Sequence, residues 1–363
     1  MTLIVDAHSD IAWNALTFGR DVLRPVLTTR ELERGTPTPT RNRGQALVGW
    51  PEWLLGRVAV VFASLFAAPV HRIEATWETL HYTTPDEARR LNLVQLDFYE
   101  RLIGEHPEKF VLVRSRRDLV AVLDGWQTGS LGERRVGLLL MMEGAEALRH
   151  PDDLPEWQSR GLRLVAPAWA ATHYAGGTGE PGGFTPAGRQ LLEAMADLGL
   201  MLDLTHLDDA GVHEALDRYP GVVLASHSNP RALGYSLYAN RHLTDEAIRQ
   251  LAERDGVMGI VPYNRFLRKG WAYPDPRQGF TLDDVVAHVD HVCQLVGDAR
   301  HVGLGSDFDG GFGLESIPVG LDSVADLGLI GDALSHHGYP AADVEAVLSG
   351  NWLRLLQRGL PET

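Results

Sequence analysis

The chain has 363 residues, a formal charge of −15, and 44% hydrophobic against 22% charged residues. That length is within the range of an α/β barrel carrying insertions, and the acidic balance excludes nucleic acid or an anionic membrane as partner, since either calls for a basic patch. The single cysteine, Cys293, rules out an intrachain disulfide and permits a reducing compartment. No basic leader precedes the first apolar run, and no window approaches the ~18 apolar residues of a membrane span. The expectation is a soluble, cytoplasmic protein.

The chain opens Leu3-Ile4-Val5-Asp6-Ala7-His8-Ser9-Asp10, an apolar strand that turns polar at its C-terminal end. Residues two apart on a strand point the same way. His8 and Asp10 therefore present an imidazole and a carboxylate together, donors that suit a borderline cation such as zinc. The alternative is a hydrogen-bonded strand-end histidine followed by an aspartate that caps the next helix. Seven further apolar runs follow, at 58–65, 136–142, 162–168, 200–205, 222–226, 257–262 and 301–305. None alternates cleanly with polar residues, which is how strands covered on both faces read.

Helical spacing lies between them at 85–104, 117–123, 185–198, 208–216, 244–251 and 281–296. Several of these open on a Thr or Asp able to cap the helix, and Cys293 falls in the last as a small buried residue. Strand and helix in alternation predict a single (β/α)8 TIM barrel domain over residues 1–363. Its inserted βα segments include 14–56, an excursion over the top that contains Arg41-Asn42-Arg43-Gly44, and a glycine-rich, mobile loop at 176–183. Extra C-terminal helices are expected at 319–337 and 341–358. A doubly wound open sheet is the runner-up, but no glycine-rich phosphate loop follows the first strand.

Chemistry in a barrel collects at the C-terminal ends of the strands. There the sequence places His8 and Asp10 (strand 1), Glu143 (strand 3), His206 (strand 5), His227 (strand 6) and Asp307 (strand 8). Three histidines with this many carboxylates exceed what one tetrahedral zinc needs, so two divalent ions are expected, zinc first among them. His8 and Asp10 would hold one ion and His206 and His227 the other. Glu143 would bridge them, because neither lysine of the chain, Lys109 or Lys269, stands at a strand end to do so. A hydroxide between the ions would be the nucleophile, and Asp307 the group that carries its proton to a leaving amine.

These motifs resemble the membrane (renal) dipeptidase family, zinc peptidases of the amidohydrolase barrel superfamily, over nearly the whole chain. The resemblance rests on Asp-Ala-His-Ser-Asp at 6–10, Glu-Gly at 143–144, Leu-Thr-His at 204–206 and Ser-His-Ser at 226–228. It rests equally on Asn-Arg-His-Leu-Thr-Asp-Glu at 240–246, Gly-Leu-Gly-Ser-Asp-Phe-Asp-Gly at 303–310 and Gly-Asn-Trp-Leu-Arg at 350–354. It implies the same five ligands, Asp307 as acid and base, a dipeptide substrate (D-residues tolerated at its C-terminal end), and a homodimer. It also implies that Arg241 holds the substrate's terminal carboxylate, a task for which a planar guanidinium is suited. Tyr263, just past strand 7, could add a hydroxyl or a wall.

One position departs from the family. Where relatives carry a substrate-binding histidine after strand 4, this chain has Trp169, whose indole N–H is a single donor; His173, four residues on, could take its place. The departure keeps open another amide, lactam or ester hydrolase on the same metals and, more remotely, a non-catalytic metal-binding barrel. Of the other histidines, His150 and His242 read as surface or capping residues. His213, His288 and His291 fall within helices, and His336 and His337 read as solvated.

Overall fold

A computed structural model describes residues 2–73, 75–128 and 131–363. Eight parallel strands form the barrel: β1 (Ile4–Ser9), β2 (Val58–Phe66), β3 (Val136–Glu143), β4 (Leu162–Ala166), β5 (Met201–Asp203), β6 (Val223–Leu224), β7 (Met258–Ile260) and β8 (Val302–Leu304). They pair in the order β6-β5-β4-β3-β2-β1-β8-β7, and a parallel bridge between Ala225 and Met258 closes the ring. All of β1 and β3 is buried, which accounts for the absence of polar alternation. Closure also needs glycine: a Cβ on Gly259 or Gly305 would stand 2.0 or 1.9 Å from the Ser226 carbonyl oxygen, so a side chain at either would push the strands apart.

The expected helices form outside the barrel at Pro85–Glu105, Arg116–Thr128, Pro186–Asp197, Asp209–Arg218, Asp245–Glu253 and Leu282–Val296. Thr84 and Thr281 close capping boxes at the first and last of these, each meeting orphan amides of the opening turn. At the other end of the chain, the Trp352 indole donates to the Leu304 carbonyl at 3.0 Å, and the Asn351 amide donates to Ala299 and Val302. This is how the Gly-Asn-Trp motif docks the last helix, Asn351–Gly359, against β8. No helix among the described residues is long and apolar enough to cross a membrane.

Two expectations, the loop at 176–183 and the unbroken helix at 341–358, need correction, and two features were not anticipated. The stretch 176–183 is not a mobile loop but an antiparallel hairpin, Ala175–Gly177 with Glu180–Phe184; its glycines carry no side-chain pattern from which pairing could be read. A ninth strand, Phe110–Leu112, pairs with the first residues of β3. Segment 14–56 folds into short helices, including Val26–Glu33 and Trp50–Leu55. A π-helical turn at Ala346–Gly350 interrupts the expected helix at 341–358.

Candidate active site

The six side chains placed at strand ends by sequence do converge. His8 Nε2 lies 3.4 Å from Glu143 Oε2, 3.6 Å from Asp10 Oδ2 and 3.8 Å from Asp307 Oδ1. The other oxygen of Glu143, Oε1, lies 3.1 Å from His206 Nε2 and 3.4 Å from His227 Nε2. Those two imidazole nitrogens are themselves 3.2 Å apart. All six residues are buried. Asp10 precedes the helix Ile11–Phe18 but makes no capping hydrogen bond; Oδ1 instead accepts from the Ser64 hydroxyl and Oδ2 faces His8, so the capping alternative falls. Backbone strain marks the same place: His206 and Asp307 have φ of 71° and 55°, a region costly for side chains larger than glycine and frequent at functional sites.

Neighbouring hydroxyls set the tautomers. Ser226 Oγ donates to Asp203 Oδ2 and lies 2.8 Å from His227 Nδ1, so its oxygen accepts the Nδ1 hydrogen and leaves Nε2 with a bare lone pair. Thr178 Oγ1 donates to the His206 carbonyl and takes the Nδ1 hydrogen of that ring, 2.9 Å away. Burial, with the charge of Arg241 adding to it, depresses the pKa of His206 to about 4. Burial and the charge of His8 hold His227 well below the ordinary value. Both rings are thus neutral and aim lone pairs at one carboxylate oxygen, as metal-binding imidazoles do. Burial opposes a charge on His8 too, but Glu143 and Asp10 outweigh it and lift its pKa well above the usual value. Both its ring nitrogens are buried without a hydrogen-bond partner. This donor set of three imidazoles and converging carboxylates fits a divalent cation on either side of Glu143.

Asp307 has its pKa raised well above the carboxylate range by burial and by Asp10 and Glu143, against the pull of His8 and Arg241. A carboxyl beside this cluster, pulled both ways by the surrounding charges, is placed to exchange a proton with a reacting group.

A cavity of about 380 Å3 opens above this floor. Arg241, buried on a short 3-10 turn, faces it with Nη1 donating to the His227 carbonyl at 3.0 Å. Tyr263 lines it, stacked on Phe312 at 4.2 Å. Trp169 lines it as well, its ring 5.9 Å from that of His206. His173 does not reach it. The chain turns back at Thr172, whose amide donates to the Ala175 carbonyl. That turn leaves His173 in a separate, smaller cavity with its Nδ1 3.0 Å from Glu146, so it does not serve the cavity above the cluster.

Sequence reasoning missed several members of the site. Ser226 and Asp203 stand within quoted motifs, yet their role in holding His227 depends on rotamers. Asp309 follows Asp307 by two residues in the same motif, and nothing in the sequence marks its role. Its carboxylate accepts from the amides of Leu47 and Val48 and from Asn42 and pairs with Arg20 at 3.0 Å. It thereby holds the excursion of segment 14–56 against the barrel mouth, and Arg43 of that segment reaches the cavity. His242, read as a surface residue, is buried.

A family model described as Membrane dipeptidase (peptidase family M19) matches residues 1–359. The chain belongs to this family. The dipeptidase family is one of metal-dependent hydrolases of peptide bonds. Its likeness extends to Dipeptidase aclJ of Aspergillus oryzae, 26% identical over 360 residues that cover 97% of this chain and 77% of that protein. An uncharacterized dipeptidase of Schizosaccharomyces pombe is 26% identical over 276 residues, 74% of this chain; the match spans 62% of that protein's length. Among solved structures, the dipeptidase AC, a metallopeptidase, superposes with a TM-score of 0.79 at 25% identity, covering 99% of this chain and 98% of that one. A metallopeptidase of Rhodobacter sphaeroides, solved with a phosphinate mimic of L-Ala-D-Ala, shares the fold with a TM-score of 0.77 at 24% identity over 99% and 100% of the two chains.

Proposed function

We propose that this chain is a binuclear zinc dipeptidase, hydrolysing the amide bond of dipeptides with a free C-terminal carboxylate, D-residues at that end included. The observation that carries the reading is the division of Glu143: one oxygen is turned to His8, the other to His206 and His227. His8 and Asp10 would hold one cation and His206 and His227 the other, with Glu143 common to both. When bound, the cations supply a water made nucleophilic at neutral pH and a polarised scissile carbonyl. Arg241 grips the terminal carboxylate, its guanidinium positioned by the His227 carbonyl and by the Phe266 ring 5.0 Å away. Asp307 takes the proton of the attacking water and returns it to the departing amine. Trp169 beside His206 leaves no imidazolium on that wall, so charge developing on the carbonyl oxygen falls to the metal floor.

The same tryptophan favours one second reading, a lactam, ester or other amide hydrolase on this site. Protein of measured metal content, assayed on L,L-, L,D- and D,D-dipeptides beside N-acyl amino acids and lactones, separates the two. Dipeptide turnover with about two equivalents of metal is the expected result. Turnover confined to lactones or esters would transfer the site to the second reading. Neither turnover nor metal uptake after adding zinc or manganese would leave only a non-catalytic barrel.

A further inference from the structure

The charge on the cavity wall opposes that of the protein. Acidic residues outnumber basic ones 48 to 33 over the chain, yet Arg41, Arg43, Arg72, Arg241 and Arg265 all line this one cavity. Three of its four carboxylates, Asp10, Glu143 and Asp307, belong to the metal floor; above it only Glu78 remains. Arg72 is committed to the wall, paired with Glu180 at 3.2 Å and stacked against Trp169 and Tyr238. Arg241 is assigned to the substrate's terminal carboxylate.

Arg43 and Arg265 come from the segments after β1 and β7 and line the cavity together with the Tyr263 phenol. Arg43 Nη1 donates to the Gly311 carbonyl at 2.7 Å, next to Phe312, on which Tyr263 lies flat at 4.2 Å and 7°. Arg265 stands two residues beyond Tyr263, on the short helix Asn264–Leu267, and lines the same cavity. Among the described residues no carboxylate forms an ion pair with Arg265. Burial raises the pKa of the Tyr263 hydroxyl while Arg43 and Arg265 draw it down and Asp307 adds to the rise, so both guanidiniums and the floor acid act on the same corner.

That corner identifies the end of the substrate it serves. Asp307 protonates the departing amine, which belongs to the C-terminal residue. Arg241, which holds that residue's carboxylate, stands over Phe266, the neighbour of Arg265. Building on the dipeptidase reading, we infer that the preferred C-terminal residue is itself acidic, aspartate or glutamate, with its side-chain carboxylate received between Arg265, Arg43 and the Tyr263 hydroxyl. A guanidinium gains about tenfold or more from a carboxylate over the isosteric amide.

The test compares kcat/KM of the metal-loaded protein for Ala-Asp against Ala-Asn and Ala-Glu against Ala-Gln, each with an L- and a D-configured second residue. The acid should be preferred by about tenfold or more, and Arg265→Gln should bring the ratio close to one. Arg265→Lys, which keeps the charge but loses the fork, should retain part of the preference. Each ratio is taken within one preparation and is unaffected by the fraction folded. Equal rates for acid and amide in the unaltered protein, or an undiminished ratio in Arg265→Gln, would overturn the inference and leave the dipeptidase reading standing. Failure to cleave any of these peptides would remove both.

Discussion

On the floor of the cavity six titratable side chains stand at the ends of five barrel strands, while the charges of its rim ride on loops joined to the barrel only at their roots. The floor residues are held twice. The strand ladders anchor the chain at or just before each of them, and buried partners such as Ser226 and Thr178 then set the rings of His227 and His206. The rim is held by contacts between loops distant in sequence: Asp309 on the amides of Leu47 and Val48, Arg43 on the Gly311 carbonyl, Arg72 on the Thr178 carbonyl. A rigid scaffold carries the chemistry common to a family, and loops carry what distinguishes its members.

If the floor works as one unit, its members should fail hardest. Glu143→Gln removes the charge shared by His8, His206 and His227. It should cost more than the ~10–100-fold in metal affinity or activity typical of losing an outer partner, read by metal analysis and dipeptide turnover; full loading would dissolve the picture of a shared carboxylate. Asp307→Asn should keep its metal and lower kcat by ~10²–10⁴, the range for a lost general acid; unchanged turnover would take Asp307 out of the reaction. Ser226→Ala removes the acceptor of the His227 Nδ1 hydrogen and should weaken metal binding by ~10–100-fold, measured by chelator competition with a smaller change in kcat at saturating metal.

The smallest effect on catalysis lies away from the cavity. His288, buried in the helix Leu282–Val296, donates from Nε2 to the Leu267 carbonyl and accepts from Asn229 at Nδ1. This neutral form is held by burial, which lowers its pKa to about 4. Between there and the ordinary value of 6.5 the unfolded chain binds a proton that the folded chain does not, so stability rises with pH across that window and falls on acidification. The loss from pH 7 to pH 5 attributable to this residue is about 2 kcal/mol. His288→Gln should flatten that part of the pH dependence in urea unfolding. An unchanged slope would show that His288 is not the buried group responsible.

The strand-end residues were legible because a parallel barrel imposes a rule: whatever follows each apolar run faces the same mouth. His8, Glu143, His206, His227 and Asp307 could be assembled on that rule without knowing any loop. His173 was misplaced because spacing after β4 cannot show that the chain reverses at Thr172 and pairs Ala175 with Phe184. The role of Asp309 was hidden for a related reason: its partners, Leu47 and Val48, lie in a segment whose short helices have no periodicity long enough to read. His242 and His288 gave no sign of burial, since a lone histidine on a helix or beside one reads alike buried or exposed.

Sequence alone determined the barrel and which side chains converge at its mouth, because both follow from the order of apolar runs and the residue that ends each one. Only the tertiary structure decided which arginines enter the cavity, which hydroxyl fixes which imidazole, and that Glu143 turns its two oxygens to opposite groups. Those are relations between atoms that the chain brings together by folding, through loop conformations and rotamers that packing selects and local sequence leaves open.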